Sequence, residues 1–122
     1  MKLLLLATVS VAALLSGAVA ARETFACNAK ALTAEERRRH HDLSQSVFGS
    51  VRERTELPDG YGFRLPPDQL VPAAEWVSME RRCCPFLAFV LEQSRDHGAL
   101  WLRVTGAPGV KAFIAAELAP IP

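Results

Sequence analysis

The sequence predicts an α+β domain in which two β-hairpins form a four-stranded antiparallel sheet with helices on one face, in the order α-ββ-α-ββ-α. Two observations carry this. Residues 51–65 and 86–105 each hold two strand-like stretches separated by a turn. The stretches 33–48, 72–84 and 110–118 instead repeat their apolar residues at helical spacing. Hairpins alternating with helices point to a two-layer sandwich.

The elements follow in chain order. Thr33 and Glu36 have the spacing of a capping box, which starts a helix that runs to Phe48 and stops at Gly49. Its predicted buried stripe is His40, Leu43 and Val47, with Phe48 beside it. Arg37, Arg38 and Arg39 spread around the helix and read as a solvated surface rather than a phosphate site. Val51 to Leu57 alternates, Pro58-Asp59-Gly60 supplies a turn in which Gly60 is free to take a positive φ, and Tyr61, Phe63 and Leu65 alternate with Gly62 and Arg64. Pro66-Pro67 ends that hairpin. Pro72 suits the first position of a second helix, and Pro85 forbids its continuation past Cys84. Phe86 to Gln93 and Ala99 to Thr105 form the second hairpin around Asp96-His97-Gly98. Val110, Phe113, Ile114 and Leu118 mark the buried face of a last helix. The segments 33–65 and 70–105 share one layout, which hints at structural duplication.

Residues 1–20 read as a secretory signal peptide. Lys2 is the positive n-region, Leu3 to Leu15 the apolar h-region, and Ala18-Val19-Ala20 a small-x-small cleavage site. Residues 21–32 are then an N-terminal lead-in, and 33–122 a single α+β domain. The predicted destination is the periplasm or the exterior, with no membrane attachment after cleavage. The whole chain has 122 residues and a net charge of +1. Loss of the leader removes Lys2 and leaves the charge balanced, which argues against nucleic acid as a partner. There is no Gly-rich phosphate loop, zinc-finger spacing or Ser-centred nucleophile elbow.

The chemistry-bearing residues are the three cysteines, Cys27, Cys83 and Cys84. An exported chain meets oxidising conditions, and an odd count leaves at least one sulfur unpaired within the chain. Cys83 and Cys84 are poor partners for each other, since adjacent Cα atoms stand ~3.8 Å apart, shorter than the usual disulfide span of ~4.4–6.8 Å. On a helix, Glu80 reaches both. Thiolates suit zinc, copper(I) and mercury(II). The candidate metal ligands are Cys83 and Cys84, with Cys27 as a third sulfur and His40 as a nitrogen. Two other readings stay open. Cys27 could form a structural disulfide with Cys83 or Cys84 in a non-catalytic structural or interaction domain, or Cys83 or Cys84 could be the nucleophile of a thiol-dependent enzyme with His40 or His41 as base. Against the last, Arg81 and Arg82 favour a thiolate while the helix C-terminus disfavours it. Trp76 and Trp101 read as core anchors, and His97 as a turn residue.

The run Glu80-Arg81-Arg82-Cys83-Cys84-Pro85-Phe86-Leu87-Ala88-Phe89, with Leu102-Arg103-Val104-Thr105-Gly106 after it, resembles a segment of small, uncharacterised bacterial proteins. A similar E-R-x-C-C-P-F segment occurs behind some MerR-type, heavy-metal-linked regulators. The resemblance covers residues 75–118 and implies, by association, a soft metal. It does not imply a regulator here, because this chain has no helix-turn-helix and begins with an export signal. The expected function is therefore an exported protein that binds a soft metal ion or a small thiol-reactive ligand through its adjacent cysteines. Its cofactor would be a zinc, copper or mercury ion.

Overall fold

The computed structural model describes residues 25–118. The predicted leader and its cleavage site lie outside the described residues. A 3-10 turn at Ala29–Ala31 precedes helix α1 (Ala34–Gly49), strands β1 (Glu53–Leu57) and β2 (Gly60–Leu65), and a second 3-10 turn at Pro67–Gln69. Helix α2 (Leu70–Cys83), strands β3 (Leu87–Gln93) and β4 (Leu100–Gly106), and helix α3 (Val110–Leu118) follow among the described residues. All pairings are antiparallel and the strand order is β1-β2-β4-β3. The second strands of the two hairpins therefore meet at the centre, and the arrangement is symmetric about the β2–β4 pair. This is the α+β fold and four-stranded sheet that the sequence predicts.

Register explains which residues make the core. Tyr61, Phe63 and Leu65 stand opposite Val104, Leu102 and Leu100, and Phe89 and Leu91 stand opposite Val104 and Leu102 from the other side. Side chains alternate between faces, so these residues share the face on which the helices pack. Phe63, Leu65, Leu100, Leu102 and Val104 are completely or almost completely buried. Helix α2 packs on β3, α3 on β2 and β4, and α1 on α2. The outer face carries Gly62, Arg103 and Val90 in one row and Arg64, Trp101 and Glu92 in the next. Trp101 is therefore no core anchor. It is half-buried and lies over Gly62 on the uncovered face. Strand β1 is an edge, exposed along nearly all its length, and its charged residues blunt that edge against pairing with another strand.

Local chemistry sets the boundaries. Thr33 Oγ1 accepts the Glu36 N–H at 3.1 Å while Glu36 Oε2 accepts the Thr33 N–H at 2.8 Å, the reciprocal capping box predicted for α1. Helix α2 begins at Leu70, two residues earlier than expected, because the 3-10 turn after Pro66 feeds directly into it, and Pro72 sits in its first turn, where no N–H is needed. Its buried stripe is Ala73, Trp76, Met79, Glu80 and Cys83. Cys84 is not helical: as the cap residue it adopts φ −123° and ψ 68°, ahead of Pro85. Gly60 does not take the positive φ expected of it. Its glycine is required by space, since a Cβ there would stand 2.0 Å from the Val104 carbonyl oxygen. The positive φ values of the second hairpin fall on Asp96 and His97, each at 56°, which confirms His97 as a turn residue. Phe113 is half-buried against Phe86, with ring centroids 5.1 Å apart, whereas Ile114 is fully buried.

Two arginine–carboxylate forks tie α1 to α2. Arg39 donates from Nε and Nη2 to the two carboxylate oxygens of Glu75 at 2.8 and 2.7 Å. Arg82 donates to both oxygens of Glu36 at 2.8 and 3.2 Å. Each pairing holds its carboxyl below the usual glutamate range, Glu36 at about 2, where the Thr33 amide adds to the effect of Arg82.

Candidate functional site

The side chains of interest meet where the end of α2 faces α1. Position 80 lies one helical turn before Cys83, whose Cα–Cβ bond tilts back toward it along the same face. Glu80 is the only charged side chain buried among the described residues, at 6% exposure. Its Oε1 stands 3.2 Å from the Cys84 sulfur. Its Oε2 stands 3.8 Å from the Cys83 sulfur and 2.5 Å from His40 Nε2, a hydrogen bond that His40 donates when its proton is on Nε2. His40 is held in turn by its neighbours. Its ring stacks at 6.0 Å on Trp76, whose Nε1–H donates to Ser44 Oγ at 2.9 Å. The Ser44 hydroxyl donates to the His40 carbonyl at 2.8 Å.

The lead-in forms a strap across this cluster. Cys27 and Cys84 are paired as a disulfide with Cα atoms 4.6 Å apart, and Cys83 is left as a buried free thiol. Adjacent Cys83 and Cys84 are thus not joined to each other, as chain geometry predicts. Asn28 N–H donates to the Cys83 carbonyl at 2.7 Å. Arg37 donates to the Leu32 carbonyl at 2.7 Å and Arg82 to that of Ala31 at 2.9 Å. Phe25 leans on Phe86 at 5.1 Å between centroids. A cleft of about 610 Å³ remains between strap and helices, and Cys27, Arg37, His40, Trp76, Glu80 and Cys83 are among its lining residues.

All four sequence-predicted ligands, Cys27, Cys83, Cys84 and His40, therefore gather around one carboxylate. Two sets have ligand atoms mutually within 4.8 Å: His40, Glu80 and Cys83, and Cys27, Glu80 and Cys84. Both include Glu80, which the sequence reading placed within reach of the cysteines without counting it as a ligand. The signal for it was there: a charged residue on the stripe Trp76, Met79, Cys83 has to be buried, and a buried charge needs a partner. Burial, then the negative charge of Glu80, pushes the Cys83 thiol up to about 11. His41, the other candidate base, is exposed. No described helix is long and apolar enough to cross a membrane.

Comparisons of the chain with protein-family models, with curated proteins and with solved structures return no match.

Proposed function

We propose that this is an exported protein that binds a soft or borderline metal ion, or a small thiol-reactive compound, at the cluster of Cys83, Glu80 and His40, with Cys84 and Cys27 on the other side of the same carboxylate. The observation that carries this reading is the shared, buried Glu80 carboxylate, with an imidazole nitrogen and a thiol on one oxygen and a second sulfur on the other. A buried carboxylate needs compensation, and a cation bound beside it would supply that. Ligand atoms within 4.8 Å of one another suit an ion with bonds of ~2.0–2.3 Å. Sulfur together with nitrogen and oxygen donors suits zinc and copper better than magnesium or calcium. A metal would displace the Cys83 proton, because only the thiolate is a good ligand.

Titration of the purified full-length chain with zinc and with mercury(II), followed by competition against a chromogenic chelator, tests the reading. One ion per chain should bind, and Cys83→Ser or Glu80→Gln should each weaken binding by at least about tenfold without changing the circular dichroism. Absence of binding in both oxidised and reduced protein would overturn it.

The Cys27–Cys84 pairing favours a second reading, a non-catalytic domain closed by a structural disulfide. A thiol enzyme gains less support. Cys84 is bonded to Cys27, and a Cys83 thiol raised to about 11 offers little nucleophilic thiolate near neutrality.

A further inference from the structure

The two ligand sets around Glu80 differ in one respect that matters chemically. His40, Glu80 and Cys83 offer nitrogen, oxygen and one sulfur, and none of them takes part in the disulfide. Cys27 and Cys84 offer two more sulfurs, but as a disulfide they are feeble ligands, because the thiolate is the ligand form. The oxidation state of that one bond therefore decides how many thiols surround the carboxylate.

We propose that the Cys27–Cys84 disulfide is a redox latch that selects the metal. Closed, it leaves the mixed set of His40, Glu80 and Cys83, suited to a borderline ion such as zinc. Opened, it raises the thiols at the site from one to three and turns it into a soft site for copper(I) or mercury(II). This rests on the metal-binding reading above and adds its regulation.

Three features support a latch that can open. Cys27 is exposed while Cys84 is completely buried, so an incoming thiol has one accessible sulfur to attack. The strap lies at the chain's N-terminal side, outside the sheet, and its described residues 25–28 reach the helices and the sheet through the Asn28–Cys83 backbone hydrogen bond and the Phe25–Phe86 contact. Glu80 Oε1, 3.2 Å from the Cys84 sulfur, is placed to accept the S–H that appears when the bond is broken.

The chemistry balances with a small thiol or dithiol as reductant. Its thiolate attacks the Cys27 sulfur, a mixed disulfide forms, and the Cys27–Cys84 bond breaks with the electron pair on Cys84, which takes up a proton. A second reductant thiolate attacks the reductant sulfur of the mixed disulfide and releases Cys27, which is protonated in turn. Two reductant thiols are oxidised to a disulfide, and two protein thiols appear.

The test uses the full chain in three forms: air-oxidised, reduced with a phosphine and desalted without oxygen, and Cys27→Ser, whose Cys84 cannot be latched. Reactive thiols are counted after incubation with glutathione and mild denaturation. Zinc and copper(I) affinities are measured by chelator competition. The expected count rises from one to three per wild-type chain. Both affinities should rise on reduction, copper(I) by at least about a hundredfold and zinc by less, with Cys27→Ser, which keeps two thiols, falling between the oxidised and the reduced protein. A thiol count that stays at one in glutathione would overturn the latch without any reference to metal. Copper(I) affinity equal in oxidised and reduced protein would overturn the selection and leave the metal site standing. Failure of every form to bind either ion would instead remove the metal-binding reading on which the selection depends.

Discussion

Replacing Cys27 by alanine removes the only covalent link across the fold seen among the described residues, and its cost can be worked from the chain. The bond joins positions 57 residues apart. In the chain-entropy treatment, closing a loop of that length removes enough freedom from the unfolded state to stabilise the folded one by about 4 kcal/mol. Cys27 is exposed, so little packing is lost with it, and the freed Cys84 thiol still has Glu80 Oε1 as an acceptor. The whole effect should therefore come from the cross-link. With a urea m-value of roughly 1–3 kcal/mol/M for a domain of this size, the unfolding midpoint should fall by about 1.3–4 M. Reductant should destabilise the wild type to a similar extent and leave Cys27→Ala unmoved. A loss below about 1 kcal/mol would mean that no such loop is closed in the folded protein. Cys83→Ala supplies the control for pairing. It should keep the cross-link in non-reducing mass spectrometry, and loss of the cross-link in that variant would show that Cys27 is bonded to the neighbouring sulfur instead.

Leu102, fully buried at the centre of the sheet, should cost about 2–5 kcal/mol on truncation to alanine. Phe113→Ala should cost less than the ~3–5 kcal/mol expected of a fully buried phenylalanine, because its ring is only half-covered; equal losses in urea titrations would refute that ranking. Cys83 gives an alkaline signature. A thiol raised from 9.0 to about 11 in the folded state contributes stability that is fully present below pH 9 and is lost as pH rises through 11. The stability difference between wild type and Cys83→Ala should accordingly shift against the wild type across that window. A difference that is flat from pH 8 to 11 would contradict the shift.

The fold was legible because its signals are local. Capping at Thr33 and Glu36, alternation through Tyr61, Phe63 and Leu65, and the Pro85 stop each act within a few residues. Which strands sit at the centre was not legible, since the β2–β4 pairing joins residues some forty positions apart and no local pattern encodes it. Trp101 shows the same limit. Alternation puts it on one of two faces, but only the final packing shows that its face stays uncovered. At the site, helical spacing was enough to bring Glu80 to both cysteines. The choice of Cys84 over Cys83 as the partner of Cys27 was not readable. It depends on the cap geometry that turns Cys84 off the helix, and on the Asn28 to Cys83 hydrogen bond that sets the strap's register.

Glu36 has a further consequence. One carboxylate closes the first turn of α1 through Thr33 and grips Arg82, immediately before the cysteine pair, on the far end of α2. Protonating it would unfasten both at once. With its folded value at about 2 against an ordinary 4.5, what it contributes is fully present above pH 4.5 and is lost progressively as pH falls from there through 2. Between those limits an unattached glutamate would take up its proton while Glu36 keeps its charge. The start of the first helix and the end of the second thus stay fastened together in surroundings sour enough to discharge most exposed carboxylates, and the cluster they bracket keeps its frame there.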